Sequence, residues 1–196
     1  MGRSEKMPFV PPEDWHESLG SDGDFRIVAQ PPGKGFRHVV TPKEVRDRLA
    51  RLPAKFVEPL EIVQFSRMTR KKQSFPCYGM QWGTSIYLYP IEEDLVEYFP
   101  DAPRPQQIIE ARMYGGRWVQ NGGQWYLEWS AATIRDFYLN NILIHELGHL
   151  LDDRNRSYVD RERYAEWFAL KYGYQATESN RRRTHRQRVV RRRHAK

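Results

Sequence analysis

The chain has a single cysteine, Cys77, among 196 residues. An internal disulfide is therefore excluded, and so are the cysteine-built clusters of structural zinc modules. No apolar run approaches the roughly 18 residues that a membrane-spanning helix needs. Residues from Met1 to about Asp24 are polar and proline-containing, with no apolar signal segment, and a cytoplasmic protein is expected. Gly33-Lys34 hints at a phosphate loop, but the Walker spacing is missing. Residues 181–196 lack any acid or aromatic and hold eight Arg and one Lys. This segment carries nine positive charges against a net +7 for the whole chain, so the remainder comes to −2. Such a tail cannot bury a core and is expected to be disordered on its own. It suits salt-dependent attachment to nucleic acid through phosphates, or to another polyanion such as an anionic membrane surface. Without aromatics it offers no base stacking.

What is present is enough for one packed domain. Hydrophobic residues make up 39% and aromatics 13%. The expected organisation is a flexible leader over 1–35, a folded domain over 36–175 and the Arg-rich tail over 176–196. Thr41-Pro42-Lys43-Glu44 reads as a helix start, with Thr41 as cap, Pro42 in the first turn and Glu44 closing a capping box. That helix runs to about Leu52. Strands are expected at Leu60–Met68, Ser85–Tyr89 and Gln107–Tyr114, with a basic turn over Arg67–Lys72 and a short acidic helix over Ile91–Phe99. Asn121-Gly122-Gly123 is a strong hairpin signal between Arg117–Gln120 and Trp125–Trp129. Ser130 then caps a helix reaching about Leu151.

That last helix carries the chemistry. His145-Glu146-Leu147-Gly148-His149 reads His-Glu-x-x-His, a pattern expected by chance in roughly one chain of this length in a few hundred. Histidines four apart stand one turn apart on one helix face, where both imidazoles reach a single zinc ion. The intervening Glu146 is placed to act as general base on a zinc-bound water. Ile142, Leu143, Leu147, Leu150 and Leu151 supply the buried side. Gly148 costs about 1 kcal/mol relative to Ala in a helix interior, which marks a place where something packs closely. The competing reading is an amphipathic helix with two half-buried histidines and a solvated glutamate.

A catalytic zinc takes three protein ligands and keeps one position open. The next segment, Asp160 to Gly173, reads as a second helix, with Asp160 as cap and Gly173 as stop. Ala165, Phe168, Ala169 and Tyr172 form its apolar face, with Glu162 and Glu166 close by and one turn apart. By themselves these glutamates equally suit pairing with Arg161 or Arg163 on a wet surface.

His-Glu-x-x-His, a short loop, then a helix with Glu162, Ala165, Glu166 and Phe168 resembles the gluzincin metallopeptidases, the thermolysin-like clan, most of all its short intracellular members. The resemblance covers residues 124–173. It implies an α+β zincin-like domain, in which a small, twisted, mostly antiparallel sheet leads into the active-site helix and a second ligand-bearing helix. It implies Zn2+ held by His145, His149 and Glu162, peptide-bond hydrolysis of a protein or peptide substrate, and Glu166 orienting a ligand histidine. With the helix phase shifted, the two glutamates exchange roles. In that fold an edge strand lies above the metal and binds substrate backbone, and the resemblance puts the hairpin Trp118–Trp129 near the cleft, although most of its tryptophans are expected to be core. The clan's oxyanion-stabilising Tyr and distant His have no clean counterpart. Tyr158, expected in the interhelical loop, and Tyr164 are the candidates, and His16, His38, His185 and His194 are assigned no role. Short relatives include peptidases acting on DNA-bound regulators, which suggests delivery by the tail. The alternative is a nucleic-acid-binding module with a structural or inactive zinc site. A structural site needs a fourth ligand, and no nearby Cys or further His offers one.

Overall fold

The computed structural model describes residue 16, residues 24–74 and residues 77–178; most of the expected leader and tail lies outside them. The domain mixes helices with three small sheets. The first sheet holds β1 (Arg26–Ala29), β3 (Ile62–Phe65), β5 (Ser85–Leu88) and β4 (Gly79–Trp82), in that spatial order. β1, β3 and β5 run parallel, with Ile62 opposite both Arg26 and Ser85, and β4 closes the sheet antiparallel, with Gly79 opposite Leu88. Every residue of β3 and β5 is buried, as expected of central parallel strands covered on both faces. The mostly antiparallel sheet expected from the sequence is thus corrected to a mixed one. β1 also lies inside the segment expected to be flexible, because its backbone groups complete the ladder of β3.

A two-stranded pair joins β2 (Phe36–Arg37) to β6 (Ile91–Glu92). The third sheet is antiparallel, in the order β7 (Val96–Phe99), β9 (Gln124–Glu128), β8 (Arg117–Asn121). The hairpin forms as expected: Asn121 pairs with Gln124 across Gly122 and Gly123, both at positive φ, which a two-residue turn of this kind requires. The acidic helix expected over Ile91–Phe99 is instead β6, a turn and β7. Leu95 adopts φ 64° at that turn while its side chain is buried, so core packing and pairing of β7 with β9 outweigh helical preference. The strand expected over Gln107–Tyr114 is corrected to a helix, α4 (Pro105–Met113). Pro105 sits in its first turn and the Gln107 side chain accepts the Arg104 N–H at 2.8 Å, which starts a helix despite Ile108 and Ile109.

Among the other helices, α1 (Pro42–Leu49) forms with the expected Thr41–Glu44 capping box. α2 spans Ala54–Val57, and α3 (Arg70–Ser74) occupies part of the expected basic turn. Ser130 caps a helix that continues to Leu151 as α5 (Ala131–Phe137), a π-helical turn (Tyr138–Ile142) and α6 (Leu143–Leu151). α7 (Tyr158–Phe168) begins at a Ser157 cap rather than at Asp160, since the Ser157 hydroxyl takes the Asp160 N–H at 3.1 Å. It passes into a second π-helical stretch, Ala169–Gln175, so Gly173 does not stop the helix. A Cβ at Gly173 would lie 1.8 Å from the Asn140 carbonyl oxygen, so the two π turns touch backbone to backbone. Arg48 of α1 ties them further, donating to Asn140 Oδ1 at 2.6 Å and to the Tyr172 carbonyl. Leu143, Ile144 and Leu147 of α6 are wholly buried, each contributing roughly 1.5–3 kcal/mol. No helix among the described residues is long and apolar enough to cross a membrane.

Candidate metal centre

Two small residues set the distance between α6 and α7. A Cβ on Gly148 would come within 3.0 Å of Ala165 Cα and 3.1 Å of Phe168 Cβ, so the helices pack as closely as their backbones allow. That approach carries Glu162, three residues before Ala165, up to the histidines. His145 Nε2 and His149 Nε2 lie 3.1 Å apart. Glu162 Oε2 is 3.5 Å from the first and Oε1 is 3.3 Å from the second. A tetrahedral zinc with bonds of about 2.0–2.2 Å spaces its ligand atoms roughly 3.3–3.6 Å apart, so the donor set fits. Three acceptors converging this closely repel one another unless protons or a cation lie between them. No other His, Cys, Asp or Glu joins them among the described residues, and all three stay partly exposed, the arrangement of a site with an open position.

The electrostatics follow the same grouping. Burial pushes the His145 imidazole down, but the hydrogen bond it donates to Glu162 and the charges of Glu146, Glu162 and Glu110 outweigh it, so its pKa ends up raised. His149 is lowered by burial and by the neighbouring His145, against the opposing charges of Glu162 and Asp152. Glu162 is held below the usual carboxylate range, chiefly by the His145 hydrogen bond and with help from the Tyr158 hydroxyl, while burial opposes.

Glu146 is buried rather than solvated, at 8% exposure. Burial pushes its pKa up to about 7, with Glu162 adding to the rise and His145 and the Gln81 backbone N–H opposing it. A carboxyl near neutrality is suited to moving protons at physiological pH. Its other neighbour is the edge strand β4. A Cβ on Gly79 would meet Ile142 Cγ2 at 2.8 Å and Glu146 Cγ and Oε1 at 3.1 and 3.2 Å, so only glycine lets this strand lie against the helix here.

The expected site residues separate into two groups. His145, Glu146, His149 and Glu162 come together, and Tyr158 stands beside them as the first residue of α7, not in a loop. Glu166 does not reach a histidine: it is exposed and accepts from Gln106 Nε2 at 2.7 Å. Helix phase explains this, since Ala165 occupies the buried face and turns Glu166 outward. Tyr164 packs near Trp167 and Phe168 with Arg154 over its ring, away from the cluster. Sequence reasoning missed β4, Asp152 and Glu110. The strand next to Glu146 is β4, not the aromatic hairpin, whose Trp129 is buried and whose Trp118 and Trp125 are half-buried. Glu110 accepts from Asn141 Nδ2, one helical turn before His145, a relation only the tertiary fold creates.

No protein family, curated protein or solved structure matches this chain.

Proposed function

We propose that this protein is a zinc-dependent metallopeptidase of zincin-like fold. The reading is carried by one observation: His145, His149 and Glu162 converge at 3.1–3.5 Å, with a buried Glu146 between them and an edge strand. His145, His149 and Glu162 would hold Zn2+, which supplies Lewis acidity toward a water and a substrate carbonyl. Glu146 takes the proton from the attacking water and delivers it to the leaving amine as the peptide bond breaks. The Gln81 N–H fixes one orientation of that carboxylate, and the packing of Gly79 holds it against α6. β4 is the edge of its sheet, so its outer backbone groups can align an extended peptide by strand addition. Tyr158 donates to Glu162 and so steadies the third ligand; it is also the nearest candidate donor for the developing oxyanion.

Elemental analysis of the purified protein tests the site. About one zinc per chain is expected for wild type, lost in Glu162→Ala and kept in Glu166→Ala, whose side chain lies outside the cluster. Wild-type protein that takes up no zinc, even after zinc is added back, would overturn the reading.

A further inference from the structure

A cavity of mixed polar and apolar lining lies near the His145–His149–Glu162 cluster. It encloses about 220 Å³ between α4, β6, β7, the β8–β9 hairpin and the segment leading into β4. Two walls tie it to the site. Glu110 lines it and accepts from Asn141, which precedes His145 by one turn on the same helix face, and the Glu110 charge is felt at His145. Tyr78 lines it and directly precedes Gly79, whose backbone packs on Glu146.

Its size suits a side chain. Pockets for whole small-molecule ligands measure roughly 300–1,000 Å³, and this cavity is smaller than that range. Its chemistry suits a cation. Three carboxylates, Glu92, Glu97 and Glu110, face it against one ammonium. That ammonium, Lys72 Nζ, already donates to the Arg67 carbonyl at 2.8 Å and sits 4.6 Å from the centre of the Tyr89 ring. Tyr98, Phe99, Trp118 and Trp129 add aromatic walls, whose π faces attract guanidinium or ammonium groups.

Glu97 is the deepest of the three carboxylates, at 8% exposure. Trp129 Nε1 at 2.8 Å and the Tyr78 hydroxyl at 3.1 Å both donate to its Oε2, which leaves Oε1 without a protein donor among the described residues. Burial raises its pKa to about 7, against those two hydrogen bonds. A buried carboxylate in that condition is stabilised by a paired cation.

We propose that this cavity receives the lysine or arginine side chain of a peptide substrate and so selects for cleavage near basic residues. The proposal rests on the metallopeptidase reading and adds the substrate's side-chain class.

The test uses the full-length protein. N-acetyl-arginine amide and its neutral isostere N-acetyl-citrulline amide are titrated calorimetrically into wild type, Glu97→Gln and Glu110→Gln, with zinc content measured on each. Arginine amide is expected to bind at least tenfold tighter than citrulline amide, and Glu97→Gln should remove that preference with zinc retained. Glu110→Gln should weaken it as well, which guards against a folding defect in one variant. Equal binding of the two amides, or a preference unchanged in both variants, would overturn the proposal. Mass spectrometry of a digested peptide mixture separates the two levels. Zinc-retaining, active protein that cuts without basic preference overturns the pocket and leaves the peptidase reading standing. Protein that prefers arginine amide but neither keeps zinc nor cuts any peptide overturns the peptidase reading, and with it the assignment of this cavity to a substrate.

Discussion

Glu146 and Glu97 are two buried carboxylates, and burial pushes both up to about 7. Their partners differ. Glu146 stands beside His145 and a backbone donor of β4, in a cluster with room for a divalent ion. Glu97 has an indole and a phenol on one oxygen and a cavity beside it. The same perturbation therefore serves two ends. On the proposed reading, one carboxylate moves a proton and the other is the counter-charge for a substrate side chain. A shifted pKa alone does not distinguish these roles; the neighbours do.

The contrast makes predictions of decreasing size. Replacing Glu146 with Gln should lower peptide hydrolysis by about 10²–10⁴-fold while zinc content and melting temperature stay near wild type. Retained activity would show that another group moves the proton. Replacing Glu97 with Gln should change stability in a pH-dependent way. The Glu97 carboxyl is raised on folding, so between 4.5 and about 7 the native state holds more protons than the unfolded one, and wild type loses stability as pH rises through that window. The shift corresponds to roughly 3 kcal/mol in the difference between wild type and variant, read by denaturant melts at pH 4.5 and pH 8. Parallel pH profiles for the two proteins would mean that Glu97 is not perturbed. Replacing Gly79 with Ala should cost about 1–3 kcal/mol of stability by overpacking and at least tenfold in turnover, with zinc retained. An alanine variant with wild-type turnover would show that β4 does not set the position of Glu146. Truncation after Asn180 should leave both carboxylates untouched and abolish salt-sensitive binding to DNA or RNA. Unchanged binding in the truncated protein would remove the tail from any delivery role.

The pairing of His145 with His149 was legible in the sequence because its logic is local. The i, i+4 spacing of His145 and His149 fixes their shared face whatever surrounds the helix. Gly148 announced the close approach of α7, though not which residue it would meet, and Ala165 and Phe168 are the answer. Glu162 was readable only through the resemblance, since Glu166 has the same chemistry one turn away. The cavity was not legible at all. Glu97 sat in a segment read as an acidic helix, and Glu110 in one read as a strand. In both stretches local composition pointed one way, while a proline-initiated turn or a distant pairing partner decided the other. β4 went unseen because Gly79-Met80-Gln81-Trp82 has no alternation, and its place at the sheet edge depends on its pairing with β5.

The contact between Gly173 and the Asn140 carbonyl also has a temporal consequence. During synthesis Glu162 follows His149 by 13 residues, and the glycine that lets the second π turn seat against the first comes later still. The nascent chain therefore carries both imidazoles and the Glu146 carboxylate before the carboxylate that completes the cluster. Assembly of the His145–His149–Glu162 cluster therefore waits until α7 and the second π turn have both been made.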